Sequence, residues 1–326
     1  MTILKVLYPR KTIGGTKVRG AGNAARTVRG FLYAVGLLCL GISTKGADVD
    51  RSLSSQYGTE QELQRDSSVL FYEDFENGNF KKWNETVGTS VIVSNQVHQG
   101  QYAVEMSMRR GKNTGGDLKK WFLPGADSVY VRFYVRFSTN YHYNHHFVWL
   151  GANELTNKWS AFGKAGLKPD GSYFSTGMEP WFGWGKNPPP GEVNLYSYFL
   201  DMKVDPKMNK YWGNAFFPPG PGAGKEAGED RSVPKLGEWE CWEFMIKSND
   251  PEKSNGEQAM WVNDKLIGKF TGIRWRNKSD LKPNCLWLEH YGYDEGDPTK
   301  QYWGEEQTVW FDDVVVARQR VGPRKR

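Results

Sequence analysis

From Val69 onward, apolar and polar residues alternate in short bursts separated by turn residues. SVYVRFYVRFS (128–138) alternates without a break, with Val129, Val131, Phe133, Val135 and Phe137 on one parity and Tyr130, Arg132, Tyr134 and Arg136 on the other. Period two sends successive side chains to opposite faces of a strand. Shorter versions recur in FYEDFENG (71–78), SVIVSNQVHQGQYAVEMSMRRG (90–111), FVWLGA (147–152), LYSYFLDMKV (195–204), WECWEFMIKS (239–248), CLWLEHYGY (285–293) and TVWFDDVVVA (308–317). In QAMWVNDKLIGKF (258–270), strand patterns flank Asn263-Asp264, which predicts a two-residue hairpin. No stretch keeps helical periodicity between caps. About ten strands with no alternating helices predict an all-β, antiparallel β-sandwich.

Two long stretches, about 153–191 and 207–236, break the pattern and read as loops. They are rich in Gly and Pro but also hold Trp181, Phe182, Trp184, Tyr211, Trp212, Phe216 and Phe217. Disordered segments are poor in aromatics, so these loops are expected to be ordered and to lie over one sheet face. FYEDFENGNFKKW, GQYAVEM, the strands VYVRFYVRF and HHFVWLG, the hairpin MWVNDKLIG and the closing VWFDDVVVA together resemble the concanavalin A-like jelly roll. Within that superfamily they are most similar to polysaccharide-lyase-type members, over roughly 70–323. The resemblance is specific for architecture, because lectins, hydrolases, lyases and non-catalytic modules share this sandwich.

The ends of the chain change the picture that composition gives. Residues 1–47 carry eight basic side chains and no acidic one, and include the apolar run FLYAVGLLCLGI (31–42). That layout reads as a secretory leader, with an attached N-terminal membrane anchor as the alternative. The run is about half the ~20 apolar residues of a membrane span, and no other segment is a candidate. Residues 48–68 read as a polar linker, 69–323 as one domain and 324–326 as a basic tail. The pI near 9.0 arises at the two ends: without 1–47 and 318–326, 30 basic residues face 37 acidic ones, a net charge of −7. A global case for nucleic-acid binding therefore fails. Once a leader is removed only Cys241 and Cys285 remain; in an exported protein they either pair or stay as buried thiols.

Candidate chemistry concentrates in two places. The aliphatic parity of 128–138 must face the core, leaving Tyr130, Arg132, Tyr134 and Arg136 outward, where they would either line a groove or decorate a solvated face. Two arginines among tyrosines suit a carboxylate and sugar rings. The second place is YHYNHHFVWL (141–150), which holds three of the chain's five histidines. As a strand it puts His142, His146, Val148 and Leu150 on one face and Tyr143, His145, Phe147 and Trp149 on the other. The aliphatic side suits the core, so His145 and Trp149 are expected in the groove. His142 and His146 would stand about 13 Å apart at ~3.3 Å per residue, too far for one zinc ion.

The resemblance implies a jelly-roll lyase's set of Arg, His and Tyr. On that basis His145 or a tyrosinate would be the base, Tyr134 or Tyr143 the acid, and Arg132 or Arg136 the partner of a uronate carboxylate. His146, Trp149, Trp181, Trp184, Trp287 and Glu289 complete the expected substrate contacts. Glu289 is also the best single candidate for a glycosidase acid, but no Glu-x-Asp-x-x-Glu pattern accompanies it, against a retaining hydrolase. Glu76, Asp312 and Asp313 resemble the structural calcium site of sandwich modules, or simply cap strands. No organic cofactor is implied. The expectation is a secreted or periplasmic, monomeric lyase of a uronate-containing glycan, with a non-catalytic carbohydrate-binding protein as the alternative and a glycoside hydrolase third. An arginine in the histidine cleft is what separates the first two.

Overall fold

The computed structural model describes residues 52–109, 112–142, 144–181, 188–220, 232–292 and 306–324. Fifteen strands carry the fold. They run β1 (Val69–Glu73), β2 (Glu85–Val87), β3 (Ser90–Val93), β4 (Ala103–Met108), β5 (Thr114–Trp121), β6 (Ser128–Phe137), β7 (His146–Asn153) and β8 (Tyr173–Trp181). The chain continues through β9 (Glu192–Tyr198), β10 (Asn214–Phe216), β11 (Trp239–Lys247), β12 (Gly256–Val262), β13 (Lys265–Ile273), β14 (Pro283–Tyr291) and β15 (Gln307–Ala317). One sheet has the order β13-β12-β11-β6-β15-β4-β3 with β1 added on β15, and the other has the order β10-β9-β8-β7-β14-β5-β2. All pairs between these strands are antiparallel, and the two sheets form a jelly-roll sandwich.

The alternation read in the sequence builds the space between the sheets. Val131, Phe133, Val135 and Phe137 of β6 and Trp242 and Phe244 of β11 meet Phe147, Val148, Leu150, Leu286 and Leu288 from the facing sheet, all of them fully buried. Phe137 and Phe147 stack across the interface at 5.3 Å. Burying each such side chain contributes roughly 1.5–3 kcal/mol before entropy is counted. Polar ties cross the same space: Gln258 Oε1 accepts from the hydroxyls of Thr176 and Ser197, each at 2.9 Å, and His290 Nδ1 lies 2.9 Å from the Met106 carbonyl. The Asn263-Asp264 hairpin forms as expected, with both residues at positive φ (50° and 72°), as a two-residue turn between twisted strands requires.

Two expectations need correction. The stretch 153–191 is not all loop, because Tyr173–Trp181 forms β8 in the middle of a sheet. Gly177 and Pro180 hid it, since both are poor strand residues. Gly177 is required there: a Cβ would stand 2.8 Å from the Trp149 ring, which lies against the strand. The expected linker is ordered from Ser52. It forms a 3-10 turn (Leu53–Ser55) and α1 (Glu60–Leu63), the latter opened by a Thr59–Glu62 capping box. Leu53 and Leu63 pack with Tyr72, Val315, Ala317 and Val321.

Of the two alternatives for the cysteines, the structure shows buried free thiols. Cys241 pairs across strands with Tyr134 on the outer face of one sheet, whereas Cys285 opens on the outer face of the other. Sheets pack about 10 Å apart, beyond the Cα spacing of a disulfide.

Candidate functional site

The outer face of the seven-stranded sheet holds a cleft of about 1000 Å³. Its floor is built by parity. Leu118, Leu286, Leu288, Val193 and Leu195 point inward, so Asp117 and Lys119 on β5, Cys285, Trp287 and Glu289 on β14, and Tyr196 and Tyr198 on β9 point out. β7 adds Trp149 and Gly151, and Ala161–Ala165 with Met208 and Trp212 come over from the two long stretches. Trp287 lies 6.4 Å from Trp149 and 4.5 Å from Phe162, ring centre to ring centre. A run of aromatic faces this long is suited to stacking on sugar rings.

Both His145 and His146 line this cleft. The expectation that His146 turns to the core with Val148 fails because alternation slips at this end of β7. Tyr291 pairs with His146 and Leu288 with Val148, so β14 spends three steps where β7 spends two. Such a bulge re-aims the side chains beyond it. Phe147, expected in the groove, is fully buried in the core instead.

His146 stands at the centre of the polar cluster. Its ring lies 4.9 Å from that of Trp149 and 5.9 Å from that of Tyr196, and its Nδ1 is 3.5 Å from Glu179 Oε2. Burial holds its imidazole well below the usual histidine range; for His145, burial and then neighbouring His146 do the same. Burial alone raises the Glu179 carboxyl. Glu289 is raised by burial and then by the charge of Asp117, with Lys119 opposing. Burial also raises Tyr196 and Tyr198, whose hydroxyls hydrogen-bond to each other. At neutral pH the imidazoles are therefore uncharged and the phenols protonated, while burial pushes both carboxyls toward their protonated forms. Asp117 and Lys119 form a direct ion pair.

The Tyr/Arg face of β6 lies on the other sheet, away from the cleft. Arg132 is fully buried beneath the N-terminal segment, donating to Glu60 Oε2 at 2.6 Å and to the Asp313 carbonyl at 2.9 Å. Tyr134 stacks on His98 at 3.6 Å and accepts from the Arg324 backbone N–H. Tyr130 packs near Trp261, and Arg136 sits between β11 and β15. None of these four reaches the sugar-sized cleft. Their outward parity was read correctly, but a sandwich has two outward faces, and this one is covered by the chain's own ends. Among the described residues no arginine lines the cleft; Lys164 lines it, and Lys119 lies beside it over the Trp287 ring. Trp181 lies at the end of β8 against Phe217, outside the cleft lining. Tyr143 and Trp184 fall outside the described residues.

Sequence reasoning missed Asp117, Lys119, Glu179, Tyr196 and Tyr198. The signal for the tyrosines was present in LYSYF, where Leu195 and Ser197 alternate with Tyr196 and Tyr198 just as valine and tyrosine do in β6.

Of the three expected calcium ligands, Asp312 and Asp313 stand together and Glu76 is engaged elsewhere. Glu76 Oε1 accepts from the backbone N–H groups of Gln101 and Tyr102. The cluster that does form is His98, Asp312 and Asp313, with their ligand atoms within 4.8 Å of one another. Asp312 is already bonded to the N–H groups of His98, Gln99 and Asp313, and Asp313 Oδ2 meets His98 Nδ1 at 2.9 Å. An imidazole with spent carboxylates does not match the all-oxygen shell that calcium prefers.

No protein-family model matches the sequence, and no curated protein sequence matches it either. Solved structures do. The alginate lyase vAL-1 from Chlorella virus superposes with a TM-score of 0.55 at 15% identity, covering 76% of this chain and 99% of that one. The marine PL-14 alginate lyase from Aplysia kurodai gives 0.56 at 12% identity, covering 77% and 99%. A variant of the alginate lyase Aly36B, in complex with alginate tetrasaccharide, gives 0.52 at 14% identity, covering 78% and 99%. At these identities the likeness establishes the concanavalin A-like jelly-roll fold.

Proposed function

We propose that the protein is a polysaccharide lyase that cleaves a uronate-containing glycan by β-elimination in the cleft of the seven-stranded sheet. The observation that carries this reading is His146, an uncharged imidazole beside the Tyr196–Tyr198 hydroxyl pair in an aromatic cleft. The similar folds are those of alginate lyases, which supports the substrate class. His146 takes the proton from C5 of the uronate, the C5–H electrons form the C4–C5 double bond, and the C4–O bond breaks. The tyrosine pair gives a proton to the departing oxygen. Desolvation keeps His146 unprotonated until an anionic sugar arrives, and the sugar's own charge then favours the imidazolium. Trp149, Trp287 and Phe162 supply the ring-stacking platform.

A panel of polyuronates incubated with the purified protein should yield ultraviolet absorbance from new unsaturated ends on at least one member. Binding without absorbance would move the assignment to a carbohydrate-binding protein, the reading favoured by the absence of a cleft arginine among the described residues. New reducing ends without unsaturation would make it a hydrolase.

From the basic start and the apolar run at 31–42 we propose that the chain is exported with loss of residues before about Thr44–Asp48. N-terminal sequencing of protein recovered outside the cell should begin in that window; a chain that retains its first thirty residues would overturn this. The leader lies outside the described residues, and among those no helix is long and apolar enough to cross a membrane.

A further inference from the structure

A lyase of uronates must hold the sugar's carboxylate, and the described cleft offers no arginine for it. Its floor is poor in free positive charge. Lys119 is engaged with Asp117, and Lys164 lies at the rim with its Nζ 4.8 Å from the Tyr173 ring centre. Glu289 is different in kind. It is 5% exposed, lines the cleft on β14 between Trp287 and Tyr291, and its Oε1 has no hydrogen-bond partner. Its cross-strand neighbour on β5 is Asp117, which places a second carboxyl on the same face. Cross-strand Cβ atoms stand only about 4.5–5.5 Å apart.

A buried carboxyl oxygen without a partner is costly unless something completes it. We infer that Glu289, as an uncharged carboxylic acid, donates the hydrogen bond that holds the uronate carboxylate in this cleft, in the role an arginine would otherwise fill. This rests on the lyase reading for its substrate class.

The surroundings keep the proton in place. Burial opposes ionisation of Glu289 most strongly, Asp117 on β5 and Glu179 on β8 oppose it too, and Lys119 and the indole N–H of Trp149 favour it. His145, just before β7, and His146, on it, face the same space uncharged, and Tyr291 on β14 lines it as well. Lys164, from the stretch that covers the cleft, is the remaining cation there. A uronate carboxylate adds another negative charge beside Glu289. Two carboxyl groups in one dry site share a single proton rather than ionise together. Substrate therefore tightens the hold on the proton that binds it, and the shared bond is of the charge-assisted kind. The same contact draws charge away from the carboxylate, which acidifies the C5 proton that His146 removes.

The experiment compares wild type with Glu289→Gln and Glu289→Ala. The probes are a short oligouronate chosen from the panel and its carboxyl-reduced counterpart. Glutamine keeps a donor of the same shape, so Glu289→Gln should weaken oligouronate binding far less than Glu289→Ala does and keep a measurable rate. Glu289→Ala should lose about 10- to 100-fold in affinity for the oligouronate, the range of a hydrogen bond to a charged group, and little for the reduced chain. In wild type KM should rise at alkaline pH as Glu289 ionises, and this rise should be missing in Glu289→Gln. That comparison stands even if the alanine variant folds poorly.

Abolished turnover with intact binding in Glu289→Gln would make Glu289 an acid–base group and overturn the inference. Equal losses for charged and reduced chains in Glu289→Ala would overturn it as well. A wild type that binds no uronate sinks the lyase reading itself, a result distinct from either.

Discussion

Arg132→Ala should lower stability by about 3–5 kcal/mol, because it leaves the Glu60 carboxylate buried opposite nothing. The whole domain is held by only about 5–15 kcal/mol, so the variant should melt far below wild type or fail to accumulate. Arg132 is fully buried and spans two partners, Glu60 Oε2 and the Asp313 carbonyl. Lysine lacks the fork needed to reach both, so Arg132→Lys should recover only part of the loss. Where Arg132→Ala can be kept folded at low temperature, its affinity for oligouronates should equal that of wild type. The sequence points the other way, to an arginine whose loss weakens uronate binding and catalysis together. Thermal melts and a binding titration on the same sample separate the two outcomes, and a selective loss of sugar affinity would contradict the structure.

His146→Ala should cut turnover by ~10²–10⁴, the usual cost of losing a positioned base, with the melting temperature little changed. The side chain is 21% exposed and holds up no part of the core. His145→Ala should cost clearly less, since His145 stands beside the cluster of Glu179, Trp149 and Tyr196 that surrounds its neighbour. If His145→Ala instead carries the full loss, the base is His145, as parity in the sequence implied. The pH profile gives a second check. Burial depresses the imidazole in the free protein, and a base works only when unprotonated. Lowering the pH from 7 to 5 should therefore leave kcat/KM without the fall that an ordinary histidine, titrating near 6.5, would impose.

How far the sequence could be read depends on what each pattern encodes. Strict alternation in 128–138 determines which side of β6 faces the core, because a one-residue slip would bury Arg132 between the sheets. It cannot say which of two outward faces is open, since that depends on where residues 52–66 come to rest. The hairpin at Asn263-Asp264 was legible because the turn is local and needs residues that tolerate positive φ. The strand 173–181 was not, because Gly177 answers to Trp149, a contact across strands that spacing does not reveal. The histidine pair shows the same limit. Parity fails at a bulge whose cause lies in β14, well over a hundred residues away. Trp287 and Glu289 were placed correctly because their strand alternates cleanly through Leu286 and Leu288.

The first and last strands, β1 and β15, pair with each other, and Ser54 donates from its hydroxyl to the carbonyl of Gly322. Val321 and Gly322 in turn donate their N–H groups to Glu243. During synthesis the segment around Ser54 thus waits for a partner 268 residues further along the chain. Arg132 and Glu243 lack their full complement of partners over the same interval. Late closure of this kind leaves the outer face over Arg132 uncovered until β15 and the residues after it have been made. Once residues 314–322 are in place, they and residues 53–73 lock together over that sheet.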